Sequence, residues 1–561
     1  MASSIEGVAG SALLLAVAAA VALQFAPGLH DALRSRPPAA GSQAGHGLAV
    51  GVLLPALVAA ALLVRGPSTA HAPHAVPSVA RRGANATALR LGSDGSLGVA
   101  DKHVAAGFEP YKHGMFQCTL VIAWTCIAQV AAHWIWMRSS APAVCWVRRG
   151  AMACSAAAAA AVLSFSSPFS FAMLATAPAT FLAAQALTTA ALGSLLTVGE
   201  TMVIAHLSAM SITDTIFLSL SMVGMWPEAL SFERDNIVVF FPALVWGMVL
   251  IGVVGLPLLL RVRAAQAQRG QNSKAHMALS LAFLALAAFV VFAVIDPWAW
   301  RGMGVEPFLW TFAFISDLST WRPFLIAYWC VLVYAAVWLA ATWIPTASSL
   351  PAHVNMRRKY FHGLSVLMFV PGYLLEPDFM HLAFSVAMTV LVLLEYVRVF
   401  RVGPSWDAIH EFLQQFLDER DRKGETAILS HLYLLVGCAM PVWLNRVAGS
   451  VSPLTGLAGV LALGIGDAAA SMVGKAVGRI KWRNRQKSVE GTAGFVVGLL
   501  GGFSLLSLVF GGGAGAAIAR GVWSLRVVSA VVATALLEAF SEQNDNLVIP
   551  LYLFSLLTAW A

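Results

Sequence analysis

Long apolar runs alternate with short polar breaks along nearly all of this 561-residue chain. Runs near residues 10–26, 48–65, 117–137, 170–195, 237–260, 277–297, 325–345, 362–376, 380–397, 429–445, 453–465, 493–511, 525–540 and 547–560 suit bilayer-crossing helices, which need about 20 residues each. Segments near 150–166, 200–222 and 305–318 fit the pattern less well, so it predicts roughly 13 to 16 spans. Backbone in hydrocarbon must satisfy its own hydrogen bonds, which for runs of this length means helices. The predicted fold class is all-α, a polytopic integral membrane helical bundle.

Composition excludes a water-soluble fold: 59% of residues are hydrophobic and 11% charged, and the mean hydropathy is +0.77. The first run could pass for a signal peptide, but its leader MASSIEG has an acid and no base, so a retained helix is expected. Residues 66–110 form the longest polar loop, rich in Gly, Pro, Ser, Ala and His, and are expected to be flexible. The sequon Asn85-Ala86-Thr87 within it is usable only if the loop faces a lumen, and such tripeptides are common by chance. Cys118, Cys126, Cys145, Cys154, Cys330 and Cys438 show no CxxC pair and no histidine at ligand spacing, so they are read as helix-packing residues. The net charge is +8 and unevenly placed. Basic loops at 261–274 and 475–487 are expected on the cytoplasmic side, where they could also meet anionic membrane lipids.

One segment departs from this pattern: GIGDAAASMVGKAVGRIKWRNRQKSVEGTAGF, residues 464–495. Asp467 closes an apolar run, and an ionisable group near membrane depth is costly unless paired, metal-bound or in a wet cavity. If a helix starts there, Asp467, Ser471 and Lys475 share one face at i, i+4 and i+8, although Asp467 could then be no more than its cap. Gly464, Gly466, Gly474 and Gly478 allow close backbone approach, and exposed N–H groups at a helix start suit phosphate oxygens. Lys475, Arg479, Lys481, Arg483, Arg485 and Lys487 supply counter-charge for a polyanion. The spacing is not that of a Walker A loop, and Ala476 stands where its metal-binding hydroxyl would be. Glu490, Gly491 and Thr492 lead into the next apolar run, as chemistry or as ordinary caps.

Together, GDAAASMVGKAVGRIKW and KSVEGT resemble the nucleotide-binding signature of the CTP-dependent polyprenol kinases, the family that includes the dolichol kinases. RRKYFHG (357–363), FLDERDRKGETAILSHLYLLVGCAMPVWL (416–444) and LLEAFSEQNDNLVIPLYLFSLL (536–557) resemble further stretches of that family, so the likeness runs over roughly residues 353–561. For residues 1–350 the likeness is one of length and many spans, which fits dolichol kinases better than the shorter phytol and farnesol kinases. Ala468 stands where related sequences often have Thr, Asn544 where some carry a second Asp, and Ser488 replaces a Thr.

The resemblance implies transfer of the γ-phosphoryl group of CTP to the terminal hydroxyl of dolichol, giving dolichyl phosphate for protein glycosylation in the endoplasmic reticulum. Cytosine is implied by the resemblance alone, since a charged, glycine-rich segment recognises phosphate. Phosphoryl transfer requires bases for the phosphates, a divalent cation such as Mg2+ with carboxylate support, and a group that orients the acceptor. The candidates follow from that requirement. Asp467, Glu490 and Asp545 are expected in catalysis, with Asp467 and Glu538 as metal ligands. Gly466, Ser471, Gly474, Lys475, Arg479, Lys481, Lys487, Gly491 and Thr492 are expected around CTP. Arg357, Arg358, Lys359 and His362 read as a positive-inside anchor, with His362 equally placed to touch phosphate, and Asn546 joins Asp545 in either the site or a solvated turn. Glu538 could instead make a helix–helix hydrogen bond, and DERDRKGE (418–425) reads most simply as a solvated loop, although the resemblance makes part of it a candidate wall of the nucleotide pocket.

The chain is therefore expected to divide into a multi-span region, 1–350, and a catalytic membrane region, 351–561, whose loop 464–495 faces the cytoplasm. Its expected partners are a polyprenol, CTP and membrane lipids, without nucleic acid; the residues do not speak to oligomeric state. Two rival readings are a phosphatidate cytidylyltransferase, which would release pyrophosphate, and a secondary transporter of an anionic solute. The transporter reading is weakened by the lack of an obvious inverted repeat and by polar residues concentrated in the last third.

Overall fold

The computed structural model describes residues 110–129 and 154–560, apart from 193–195, 268–272, 344–350, 412–428, 448–452, 483–486, 511–520 and a few single positions. The expected spans at 10–26 and 48–65, the 66–110 loop with Asn85, the DERDRKGE loop, and Arg483 and Arg485 lie outside these residues. So do the side chains of Arg357, Arg358 and Lys359.

The described chain is helical. After helical segments at 110–126 and 156–164 come α1 (Phe171–Leu192), α2 (Val198–Met222), α3 (Asn236–Ala267) and α4 (Ser273–Val290). A π turn, Val291–Ile295, continues α4 into α5 (Asp296–Met303), followed by α6 (Pro307–Ser316) and α7 (Arg322–Trp343). Then come α8 (Pro351–Leu375), α9 (Pro377–Phe400), α10 (Leu429–Val447), two single turns (Pro453–Gly456 and Ala458–Leu461), a π turn (Ala462–Asp467), α11 (Ala468–Ala476), α12 (Val489–Val509), α13 (Leu525–Phe540) and α14 (Asp545–Trp560).

Among the described residues, eight helices are long and apolar enough to cross a membrane, and three shorter ones, of 10 to 17 residues, are also apolar. This makes the protein a polytopic helical bundle. The 200–222 segment is one of the long helices, whereas the 305–318 segment forms only the ten-residue α6, too short to span. Local chemistry sets the ends: Thr197 and Glu200 form a capping box on α2, Ser488 and Ser524 cap α12 and α13, and proline opens α6 and α9.

The largest core joins α8, α9, α10, the 453–467 turns, α12, α13 and α14 around Phe384, Phe495, Phe503 and Phe554. Its helices approach to backbone contact. A Cβ on Gly437 would meet the carbonyl of Asn546, and one on Gly459 would meet the carbonyl of Gly437, so small residues set how closely α10 and α14 pack. A second cluster of buried residues gathers Val203 of α2 with Tyr433 of α10 and Leu547, Val548 and Leu551 of α14. This joins the N-terminal helices to the end of the bundle where α14 begins.

Candidate active site

The helix carrying Asp467 does not begin at that residue. It starts at Ala458 and runs to Ala476, and Asp467 closes the π turn with helical backbone angles and no capping bond. The cap reading is thereby replaced: the acid sits inside a helical run. A π turn inserts one residue into a helix turn and re-aims the side chains beside it, and such turns recur at functional sites. The aim of Asp467 is held from α8, where buried His362 places Nδ1 3.4 Å from Asp467 Oδ2 and 3.1 Å from the carbonyl oxygen of Leu463. A carbonyl only accepts, so Nδ1 carries the proton in that bond.

Two further acids meet Asp467. Glu538 lies in the last turn of α13 and Asp545 opens α14, so the hairpin between these apolar helices delivers both to one place. Ligand oxygens of Asp467, Glu538 and Asp545 all lie within 4.8 Å of one another. Lys487 closes the group: its Nζ stands 2.7 Å from Glu538 Oε1 and 3.0 Å from Asp545 Oδ2, and donates to the Glu538 carbonyl at 2.6 Å. Burial opposes the lysine's charge, but Asp545 and Glu538 outweigh it and raise its pKa above the ordinary lysine value. Glu538 is thus an ion-pair partner and not a helix–helix hydrogen bond.

Lys487 reaches this point on a short hairpin after α11. Trp482 N–H donates to the Lys487 carbonyl at 3.1 Å and Val489 N–H to that of Ile480 at 2.9 Å, and Lys481 bridges antiparallel to Ser488. Trp482 fixes the hairpin to the bundle by donating from Nε1 to Thr492 Oγ1 at 2.9 Å and packing on Phe540, with ring centroids 5.0 Å apart. Lys475, Arg479 and Lys481 are exposed along the end of α11 and the hairpin.

Several expected residues have other work. Glu490 does not join the three acids; its carboxylate accepts the backbone N–H groups of Arg479 and Ile480, each at 3.0 Å, and so shapes the hairpin. Gly474 and Gly491 face each other across α11 and α12, where a Cβ on Gly491 would stand 3.3 Å from the Cα of Gly474. Gly466 packs under the Phe495 ring, and Thr492 is buried as the Trp482 acceptor. Gly464, Gly466 and Gly474 lie within helical turns and not at a helix start, which removes the expected phosphate-binding helix terminus there. The helix start in this segment belongs to α12, where Ser488 Oγ accepts Gly491 N–H at 3.1 Å. Asn544 accepts the N–H of Asn546 at 3.0 Å and caps the turn, leaving the second and third acids to Glu538 and Asp467.

Thr197 and Glu200, which are not among the residues expected from the sequence, reach this turn from α2. Their signal is the Thr-x-x-Glu capping box, TVGE, just ahead of an apolar run.

The family described as Dolichol kinase matches residues 191–476, about half of the chain. Dolichol kinase EVAN of Arabidopsis thaliana is 35% identical over 320 residues, 55% of this chain and 54% of that protein. Dolichol kinase of Bos taurus is 32% identical over 374 residues, 65% of each chain. Dolichol kinase sec59 of Schizosaccharomyces pombe is 30% identical over 376 residues, 64% of this chain and 71% of that protein. The alignments with the Arabidopsis and bovine proteins thus span under two thirds of those relatives' length. No solved structure matches. The family match begins at 191, well ahead of the 353 from which the motifs carry a resemblance, and so takes in α2 with Glu200; it ends at 476, ahead of Lys487, Glu538 and Asp545. With the family model matching about half of the chain and the Schizosaccharomyces pombe protein 30% identical over 71% of its length, this all-helical membrane bundle belongs to the dolichol kinase family.

Proposed function

We propose that the protein transfers the γ-phosphoryl group of CTP to the terminal hydroxyl of dolichol, giving dolichyl phosphate and CDP. The observation that carries this reading is the convergence of Asp467, Glu538 and Asp545 with Lys487 at the ends of apolar helices, beside a basic hairpin. A polyprenol is confined to the bilayer with its hydroxyl at the interface, so a water-soluble nucleotide and a lipid acceptor can meet only at such a boundary. The site belongs on the cytoplasmic face of the endoplasmic reticulum membrane, where the basic loops would lie.

The donor set is all carboxylate oxygen, which suits a hard divalent cation such as Mg2+ and not a soft one. Asp467, Glu538 and Asp545 would hold it, and when bound it neutralises charge on the phosphate oxygens. The chain's own residues do the rest. Lys487, held charged by its acid neighbours, binds phosphate oxygens, and Lys475, Arg479 and Lys481 add to the field around the triphosphate. Asp467, steadied by His362, takes the acceptor's proton as the lipid oxygen bonds to the γ-phosphorus and the bond between that phosphorus and the β–γ bridging oxygen breaks.

Purified protein given Mg2+, γ-labelled CTP and dolichol, with ATP, phytol and phosphatidate as alternative substrates, tests the reading. Label in a lipid phosphate, dependent on CTP and on a long polyprenol, is the expected result. Label in pyrophosphate with phosphatidate would move the protein to cytidylyl transfer, and no labelled product at all would overturn the enzyme reading.

A further inference from the structure

We infer that Glu200 is a positioning residue of this site: its buried carboxylate fixes the turn that carries Asp545. Glu200 is 344 residues from Asn544 in sequence, yet its Oε1 accepts the Asn544 backbone N–H at 2.7 Å while Oε2 accepts that of Thr197 at 2.9 Å. The residue is 2% exposed. A second strut runs beside the first, with Thr197 Oγ1 donating to Gln543 Oε1 at 2.6 Å. The turn adds bonds of its own, from Gln543 N–H to Ser541 Oγ at 3.1 Å and from Asn546 N–H to Asn544 Oδ1 at 3.0 Å, and α14 begins at Asp545.

Burying a carboxylate is costly, and accepting two backbone N–H groups offsets that cost. A cap alone needs only the Thr197 bond. The second bond, to a turn on another helix pair, ties the start of α2 to the residue next to Asp545. Val203 of α2 already shares a buried apolar cluster with Leu547 and Val548 of α14, so docking does not require the acid either. What the acid adds is the position of one backbone amide, and through it the angle at which Asp545 meets Lys487, Glu538 and Asp467. Such supporting partners typically change metal affinity or activity by roughly 10–100-fold when removed.

The inference rests on the metal-assisted kinase reading above, and the test separates the two. Full-length wild type, Glu200→Gln and Val203→Ala in lipid nanodiscs would be titrated with Mn2+ by electron paramagnetic resonance. Thermal midpoints and amide exchange over residues 541–548 would be read in parallel. The glutamine has one acceptor and turns an N–H2 group towards the other amide. Glu200→Gln is expected to weaken Mn2+ binding about 10-fold or more and to speed exchange at Asn544. Val203→Ala, a packing loss in the apolar cluster that α2 shares with α14, is expected to lower the thermal midpoint without moving the Mn2+ midpoint. Should Glu200→Gln yield no folded protein, Glu200→Asp keeps the charge with a shorter reach and carries the same comparison with a smaller shift. Wild-type Mn2+ binding left unchanged in the Glu200 variants, or weakened equally by Val203→Ala, overturns the inference and leaves the kinase reading intact. A wild type that binds no Mn2+ sinks the metal reading and the inference with it.

Discussion

Among the described residues, two of the charge clusters that interrupt this apolar bundle are built differently. In the last turn of α10, Arg446 bonds through separate nitrogens to the carboxylates of Asp378 and Asp235. Nearby, Arg322 sits 3.0 Å from Glu376 through Nε, donates to the Phe314 carbonyl at 3.0 Å through Nη1, and lies over the Phe314 ring. Three acids there meet two guanidinium groups. At the acid cluster where α14 begins, Glu538 and Asp545 share the Lys487 ammonium, and Asp467 lies beside them against His362. Planar guanidinium forks lock a geometry, whereas an ammonium is a point charge on a flexible stem that can exchange partners. The first cluster is thus suited to holding helices together, and the second to exchanging its ammonium contacts for a cation and phosphate.

The largest expected effect tests that division directly. Asp467→Asn keeps the size and most hydrogen-bonding capacity of the side chain but removes its charge. Turnover should fall by about 10²–10³-fold, the scale of losing one preorganised electrostatic group at a reacting centre. The thermal midpoint should stay near that of wild type, and retained turnover would erase the functional side of the comparison. The reverse profile is expected at the other cluster. Arg322 and Glu376 side chains are 10% and 14% exposed, so Arg322→Met takes the guanidinium from a largely enclosed carboxylate and leaves it the Trp321 N–H. Stability should drop by about 3–5 kcal/mol, read as a lower thermal midpoint, while the turnover number of the folded fraction stays unchanged.

Much of this contrast is legible in the amino-acid sequence, for a physical reason. An acid or lysine bordering a bilayer is expensive and stands out against its neighbours, which singles out Asp467, Lys487, Glu538 and Asp545. Spans are equally plain wherever the apolar run is long, as in α3 and α12. Glycines are ambiguous, because Gly474 and Gly491 signal close backbone approach without saying whether a phosphate or another helix approaches. The π turn leaves no mark in the sequence, so the residue pattern places the start of the helix at Asp467 when that helix begins well ahead of it. Glu200 is hidden because TVGE describes a cap completely, and nothing local reports that the same carboxylate reaches a turn 344 residues away.

Lys487 sharpens the comparison in another way. Truncation to Met should raise KM for CTP about 10-fold, the loss of one charge-assisted hydrogen bond, whereas Arg should rescue part of it. Its ammonium is held above the ordinary lysine pKa of 10.5 by Asp545 and Glu538, against the opposing effect of burial. The sign follows: the ion pairs are complete below that ordinary value and are lost only as pH rises through the elevated one. Between about pH 6 and pH 9 the kcat/KM profiles of wild type and Lys487→Arg should therefore share one shape. A limb present only in wild type would mean that Lys487 releases its proton during turnover, making it an acid–base group and not a fixed charge.

The smallest effect is expected at Glu490, and it decides where the site ends. Its carboxylate sits among the signature residues but faces the amides of Arg479 and Ile480, so its work is to hold the hairpin that presents Lys487. A glutamine at this position retains an oxygen that can accept both amides, and an alanine retains none. Glu490→Ala should therefore loosen the hairpin locally, as the loss of a side-chain cap does, and appear as a several-fold rise in KM for CTP with kcat nearly unchanged. Glu490→Gln should lie close to wild type in both. If Glu490→Gln instead lost turnover as deeply as Asp467→Asn, the charge itself would be required and not its reach to two amides. Glu490 would then count as a fourth acid of the reacting centre, brought to the others by a movement of the hairpin when the nucleotide binds.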